Sequence, residues 1–543
     1  MPPLPLMTTM KEDSVDWHHP ELGRIRGAIS SPTTTQFRNL LYATIPERWK
    51  HSELVTDLSP YCEPDQPYDS TAWGPLSPQR DASIDFDFGL IGKRLPVDRT
   101  LFCDEQKCLN LVVSKPTGDL KGLPVLVFIH GGGFFLGGNS WPQYDLRNLV
   151  ELSIKTKKPL IAVGINYRLG LLGFLASGEL SEPQDAGNYG LFDQANALTW
   201  IKRHIQGFGG DPQSVTVIGE SAGCISTLLH VLRQEPLFDR AMAMSGDPGL
   251  RPPQPLEKNE ALYHGLLNEL TIEPFTARER AAALRQVDWR RLVASPLTLR
   301  CLPTLNRGIR GFEESIEGIG QQLESSLSWC KTIVIGDCLH DATVFAAALA
   351  KPDWLSKFRV AFLSFFSSEQ LSHILVAYDL NEHSSEPCHP GLLKLATDIK
   401  FYMPVVRAGQ AVRPSKNLHI YHFHKPCPFD GPFKNLSGHV YDVAYFSQNY
   451  HHLLPAEDQL GSVRFGEYVI DLAYGSLDII QEPTLRSSTR EVMVWSTGIS
   501  PLSCSAEEYD KSFRESAGAL LTSLGVAKCS KALELYISLS TDS

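Results

Sequence analysis

Short, nearly continuous apolar runs punctuate the chain: PVLVFIH at 124–130, PLIAVGINY at 159–167, SVTVIG at 214–219, AMAMSG at 241–246, TIVIGD at 332–337 and LHIYHF at 418–423. Runs of this length without polar alternation suit strands buried on both faces of a parallel sheet. Between the second and third runs the period changes. Leu191, Ala195, Leu198, Ile201 and Ile205 recur at helical spacing, and the glycines and proline of GFGGDP at 207–212 end that stripe. Ile225, Leu228, Leu229 and Leu232 repeat the pattern after the third run. Strand–helix–strand alternation with short connectors predicts an α/β fold, a central, mostly parallel twisted sheet flanked by helices. The tracts 251–330 and 338–417 are richer in helix formers and charge, and read as helical insertions over the carboxyl edge of the sheet. A single domain over residues 1–543 is expected, with residues 1–20 a poorly ordered N-terminal arm.

Charge narrows the classes. Lys+Arg 50 against Asp+Glu 61 gives a net charge of −11, which repels phosphate backbones and anionic lipid, so a nucleic-acid partner is not expected. The start of the chain lacks a basic segment followed by an apolar run, and no stretch reaches the roughly 18 apolar residues of a membrane span. The 11 cysteines show neither metal-ligand spacing nor an obvious disulfide framework. These features predict a reduced, cytoplasmic protein without metal or membrane contact; nothing in them sets an oligomeric state.

Candidate chemistry centres on VTVIGESAGCIS at 215–226, where a strand pattern meets a Gly-Glu-Ser-Ala-Gly turn and a helical pattern follows. On a sharp strand-to-helix turn, Gly219 and Gly223 avoid collisions with neighbouring backbone, and Ser221 stands at the carboxyl edge of the sheet. A serine hydroxyl needs a base and an oxyanion site to act as a nucleophile. HGGGF at 130–134 directly follows a predicted strand, and its glycines free backbone amides to face a ligand; Gly132, Gly133 and Ala222 are the expected donors. Among the 17 histidines, His439 in SGHVYDVAYF follows a glycine and precedes a helix-like segment. The acid that orients it is expected after KTIVIGD, where Asp341 and Asp337 compete. The chain order Ser221, acid, histidine is that of a serine hydrolase on a doubly wound sheet.

Taken together these residues resemble the type-B carboxylesterase/cholinesterase family of α/β-hydrolases, nearest its fungal intracellular members. The similarity runs from LGRIRGAI at 22–29 through WGPLSPQ at 73–79, CLNL at 108–111, INYRLGLLGFL at 165–175 and the long stretch 187–223 to AYF at 444–446. It implies an α/β-hydrolase fold, Ser221 as nucleophile, His439 as base, and the amides of Gly132, Gly133 and Ala222 as oxyanion hole. The family acid is usually Glu, five residues after the glycine closing its strand. Counting from Gly336 gives Asp341, one methylene shorter, and Asp337 stays an alternative. Glu220 and Ser245 match a second buried pair that supports the histidine, or are polar packing.

Two departures matter. The resemblance implies a disulfide to Cys108 from the position held here by Ser77, so that bridge is not expected unless Cys62 or Cys103 substitutes. The loop 81–107, which in relatives carries a choline-binding tryptophan, has none, so cholinesterase activity is not expected. The implied function is a serine carboxylesterase acting on a small-molecule ester without cofactor. An acyltransferase, transesterase or lactone-cleaving enzyme with the same triad, and a non-catalytic cholinesterase-like binding module, are the alternatives. Asp247 and Arg251, after AMAMSG, fall near where members of the family that the chain resembles shape the acyl pocket, and there they select a polar acyl group or point to solvent.

Overall fold

The structure, a computed structural model, describes residues 13–539 except 98, 182–185, 234, 274–275, 306–318, 381–387, 414–416 and 478–489. Its main sheet contains β1 (Ser14–His19), β2 (Gly23–Ser31), β3 (Thr34–Leu41), β4 (Asn110–Pro116), β5 (Leu123–Ile129), β6 (Ile161–Ile165), β7 (Gly210–Glu220), β8 (Arg240–Met244), β9 (Thr332–Cys338), β10 (Leu418–Phe423), β11 (Glu491–Trp495) and β12 (Leu502–Ser505). They lie in the order β1-β2-β3-β4-β6-β5-β7-β8-β9-β10-β11-β12, and a short strand at Tyr68–Asp69 pairs with β2. From β6 to β11 every pairing is parallel. The two ends are antiparallel.

All six apolar runs became strands of this sheet. Their alternate side chains feed two cores, one on each face: Val125, Val127 and Ile129 of β5 enter one, and Leu126 and Phe128 enter the other. Burial on both faces is why these strands carry no polar alternation. Helix α1 (Tyr189–His204) and helix α2 (Ala222–Leu232) cover the sheet where their stripes predicted. The two insertion tracts are indeed largely helical, with Leu256–Glu269, Ala277–Arg285, Trp354–Leu363, Ser368–Ala377, Pro390–Thr397 and Met403–Ala411 among their elements. No helix among the described residues is long and apolar enough to cross a membrane.

One expectation needs correction. Part of the supposed N-terminal arm is β1, paired residue for residue with β2. Trp17 anchors it: the indole N–H donates to the Gly207 carbonyl at 2.9 Å, and the ring meets Phe37 edge-on at 6.3 Å. Residues 1–12 lie outside the described residues.

Candidate active site

Ser221 stands between β7 and α2 with φ 54° and ψ −118°, a conformation that L-residues rarely adopt. The turn is held from several sides. The Ser221 amide donates to the Met244 carbonyl at 2.9 Å, and the Ser221 carbonyl accepts from Ile225 at 3.0 Å. A Cβ on Gly219 would lie 2.0 Å from the Gly223 carbonyl oxygen, and one on Gly223 would lie 2.0 Å from that of Ile129. The neighbour in each case is backbone and cannot swing aside. Gly223→Ala should therefore destabilise the protein by about 3 kcal/mol, read as a shifted midpoint in urea denaturation; an unchanged midpoint would show that the turn has slack.

The glycine loop after β5 comes close to this turn. A Cβ on Gly131 would meet Glu220 Oε2 at 2.4 Å and Ser221 Cβ at 2.9 Å, so only glycine permits the approach. Gly132 and Gly133 take positive φ of 88° and 59°. Gln79, from the WGPLSPQ stretch, props the loop by accepting from the Gly137 amide at 2.9 Å and donating to its carbonyl at 2.7 Å. Among the described residues, the amides of Gly132, Gly133 and Ala222 donate to no protein acceptor. Such amides, with the positive end of α2 nearby, suit a developing oxyanion.

His439 and Asp341 arrive from distant parts of the chain. Asp341 begins a turn after β9, and Asp341 Oδ1 lies 2.8 Å from His439 Nδ1. The other carboxylate oxygen accepts from the Cys338 amide at 2.7 Å. The two loops are tied by a backbone bridge between His340 and Gly438, and by the His439 amide donating to Thr343 Oγ1 at 2.8 Å. Asp337, the rival acid, faces elsewhere. It meets His422 Nδ1 at 2.5 Å and accepts from Arg514 at 3.2 Å. The structure therefore brings Asp341, and not Asp337, to His439.

Glu220 and His439 form a second contact, with Nε2 3.0 Å from Glu220 Oε1. That distance is an ion-pair distance, but both atoms lack an aligned hydrogen bond. The contact attracts only while Nε2 carries a proton, so it favours the imidazolium form of His439. Burial opposes the His439 cation, but the charge of Glu220 and the bond to Asp341 outweigh it and lift the imidazole to about 9. Burial pushes the carboxyls of Glu220 and Asp341 upward as well. Ser245 does not join this pair; its hydroxyl donates to Cys338 Sγ at 3.7 Å.

Phe401 meets the imidazole edge-on at 5.4 Å. Sequence reasoning missed this residue, since it sits in a π-helical turn, Asp398–Tyr402, inside an otherwise helical tract. Cys62, Cys103 and Cys108 are all free, so neither candidate replaces the family bridge. Among the described residues, no group of three or more His, Cys, Asp and Glu is placed to hold a metal ion.

The sequence profile of the carboxylesterase family matches residues 14–469. The chain belongs to the carboxylesterase family. Similar members include Lipase 3 of Yarrowia lipolytica, 29% identical over 59% of this chain and 61% of the relative. The para-nitrobenzyl esterase of Bacillus subtilis is 38% identical over 33% of this chain and 34% of its own. Mouse cholinesterase is 46% identical over 26% and 23%. The chain spans less than two thirds of the length of these curated family members. Its fold is that of a PNB esterase of solved structure, TM-score 0.67 at 24% identity over 92% of this chain and 99% of that one. A thermophilic PNB esterase gives 0.69 at 23% over 91% and 98%. This carboxylesterase-family chain thus has an α/β-hydrolase fold, with the mostly parallel sheet and flanking helices described above.

Proposed function

We propose that this protein is a serine carboxylesterase that hydrolyses a small-molecule ester through an acyl–Ser221 intermediate. Ser221 Oγ attacks the ester carbonyl while His439 Nε2 takes its proton. The carbonyl π-bond opens to an oxyanion held by the amides of Gly132, Gly133 and Ala222. Collapse breaks the ester C–O bond, and the imidazolium returns the proton to the departing alcohol. Water, deprotonated by the same nitrogen, then cleaves the acyl-serine and releases the acid. Asp341 fixes the imidazole with its Nδ1 protonated, so that Nε2 faces the chemistry.

The observation that carries this reading is the 2.8 Å contact of Asp341 with His439, whose Nε2 lies 3.0 Å from Glu220, the residue before a serine held at φ 54°. Such strain persists only where surrounding structure enforces it, and it gathers at reactive sites. The names of the relatives, lipases, a cholinesterase and a para-nitrobenzyl esterase, support an ester as the bond attacked.

A fluorophosphonate probe should label one site per chain, with the added mass on the peptide holding Ser221. Peptide mass spectrometry reads it. No adduct, or an adduct on a different serine, overturns the proposal and favours a binding module. Short-chain p-nitrophenyl esters, assayed with and without an added alcohol, identify water or alcohol as the acceptor from the mass of the product.

A further inference from the structure

The segment after β8 carries a charge that ester hydrolysis does not require. Gly246 packs close to the nucleophile: a Cβ there would stand 3.3 Å from the Ser221 carbonyl oxygen. Five residues on, Arg251 is half-buried and fixed from two directions. Its Nη2 donates to the Leu299 carbonyl at 2.6 Å, and its guanidinium lies 5.6 Å from the centre of the Phe135 ring. One further distance gives its place in the site. Arg251 Nη1 is 2.9 Å from the point that a Cβ on Gly133 would occupy. The cation therefore sits against a proposed oxyanion donor.

Its pairing is incomplete. A guanidinium has five N–H donors, and among the described residues only the Leu299 carbonyl accepts from this one. No carboxylate among the described residues lies within ion-pair range of it, Asp247 included. A partly desolvated cation without a counter-charge is unfavourable unless the partner arrives from outside. Net charge −11 also means that no general attraction draws anions to this protein, so any selection for them is local.

Resting on the acyl-serine reading above, we propose that Arg251 is a specificity-determining residue and that the substrate is an ester bearing a carboxylate close to the scissile bond. A planar guanidinium held near an aromatic ring and by one backbone bond presents its remaining donors as a fork, which matches a carboxylate in two parallel hydrogen bonds. A neutral ester leaves that fork to water.

The test compares kcat/KM for matched pairs of esters. One pair, p-nitrophenyl hemiglutarate against p-nitrophenyl valerate, puts the carboxylate on the acyl side. The other, 4-acetoxybenzoate against its methyl ester, puts it on the alcohol side. The wild-type protein should favour the anionic member of one pair, which locates the contact. Arg251→Met should reduce that preference by about 10- to 100-fold, the loss of a charge-assisted contact, and Arg251→Lys should keep part of it. No preference in either pair, or one that survives in Arg251→Met, overturns the proposal while leaving the esterase intact. Calorimetry on the Ser221→Ala protein reads the same contact without turnover. Monophenyl glutarate should bind more tightly than phenyl valerate, and Arg251→Met should abolish the difference; equal binding in the parent overturns the proposal. If no ester is turned over and no phosphonate adduct forms, the esterase reading fails, and the calorimetric result still decides the anion site.

Discussion

Ser221→Ala should lower kcat for p-nitrophenyl butyrate by about 1,000-fold or more, with a much smaller change in substrate binding. The effect is large because the hydroxyl does what no neighbour can replace. Cys224 is buried with its thiol directed to the Gly246 carbonyl, and Ser245 faces Cys338, so neither reaches the turn as a substitute nucleophile. The residual rate reflects the oxyanion amides and the bound geometry alone. Alanine removes one oxygen that makes no hydrogen bond among the described residues, and the backbone strain at 221 is the same for both residues, so the melting curve should hardly move. Steady-state kinetics and circular dichroism on the same preparation check both halves. Activity within ten-fold of the parent overturns the assignment of the nucleophile.

The parallel centre of the sheet was legible because burial on both faces leaves a physical mark in the letters, uninterrupted apolar runs ended by glycine or charge. The antiparallel margins left a weaker one. In β2, Ile25 is fully buried while its neighbours Arg24 and Arg26 are not, an alternation short and polar enough to pass for loop. The strand β1 depends on Trp17 reaching Gly207, a contact no local pattern announces. The site divides in the same way. Ser221 and the oxyanion glycines are local features, legible because a tight turn and a close approach each demand glycine at fixed offsets. Local pattern alone does not rank Asp337 against Asp341, because the turn decides which way a carboxylate faces; the family count from Gly336 is what favours Asp341. Arg514, far along the chain in the tract beyond the family match, binds Asp337 and Asp398 together. Glu220 is marked only through the resemblance, as half of a pair supporting the histidine, and no local pattern shows that it meets the far nitrogen of that base.

That division between the two acids gives the second large effect. Asp341→Asn should lower kcat by about 1,000- to 10,000-fold, by the logic of a forced tautomer. The aspartate serves two donors, the Cys338 amide through one oxygen and His439 Nδ1 through the other. Asparagine has a single acceptor oxygen. If the amide of Cys338 keeps it, the NH2 group faces Nδ1, the ring proton moves to Nε2, and the base can no longer accept from Ser221. The pH profile supplies the second readout. Glu220 and Asp341 together hold the imidazole at about 9 against the effect of burial, and only its neutral form is a base. Activity in the parent therefore rises with pH up to that region. Removing the charge at 341 weakens the support for the cation, so the rising limb of kcat/KM should move to lower pH even as its height falls. Asp337→Asn should behave in the opposite sense. Its carboxyl is held below the ordinary range because His422 and Arg514 outweigh the burial that opposes ionisation, and both partners are buried with it. Breaking that cluster should cost about 3–5 kcal/mol of stability in urea denaturation, with kcat of the folded fraction within about ten-fold of the parent. The reverse outcome, a kinetic collapse at 337 and a mere loss of stability at 341, would transfer the role of orienting acid to Asp337.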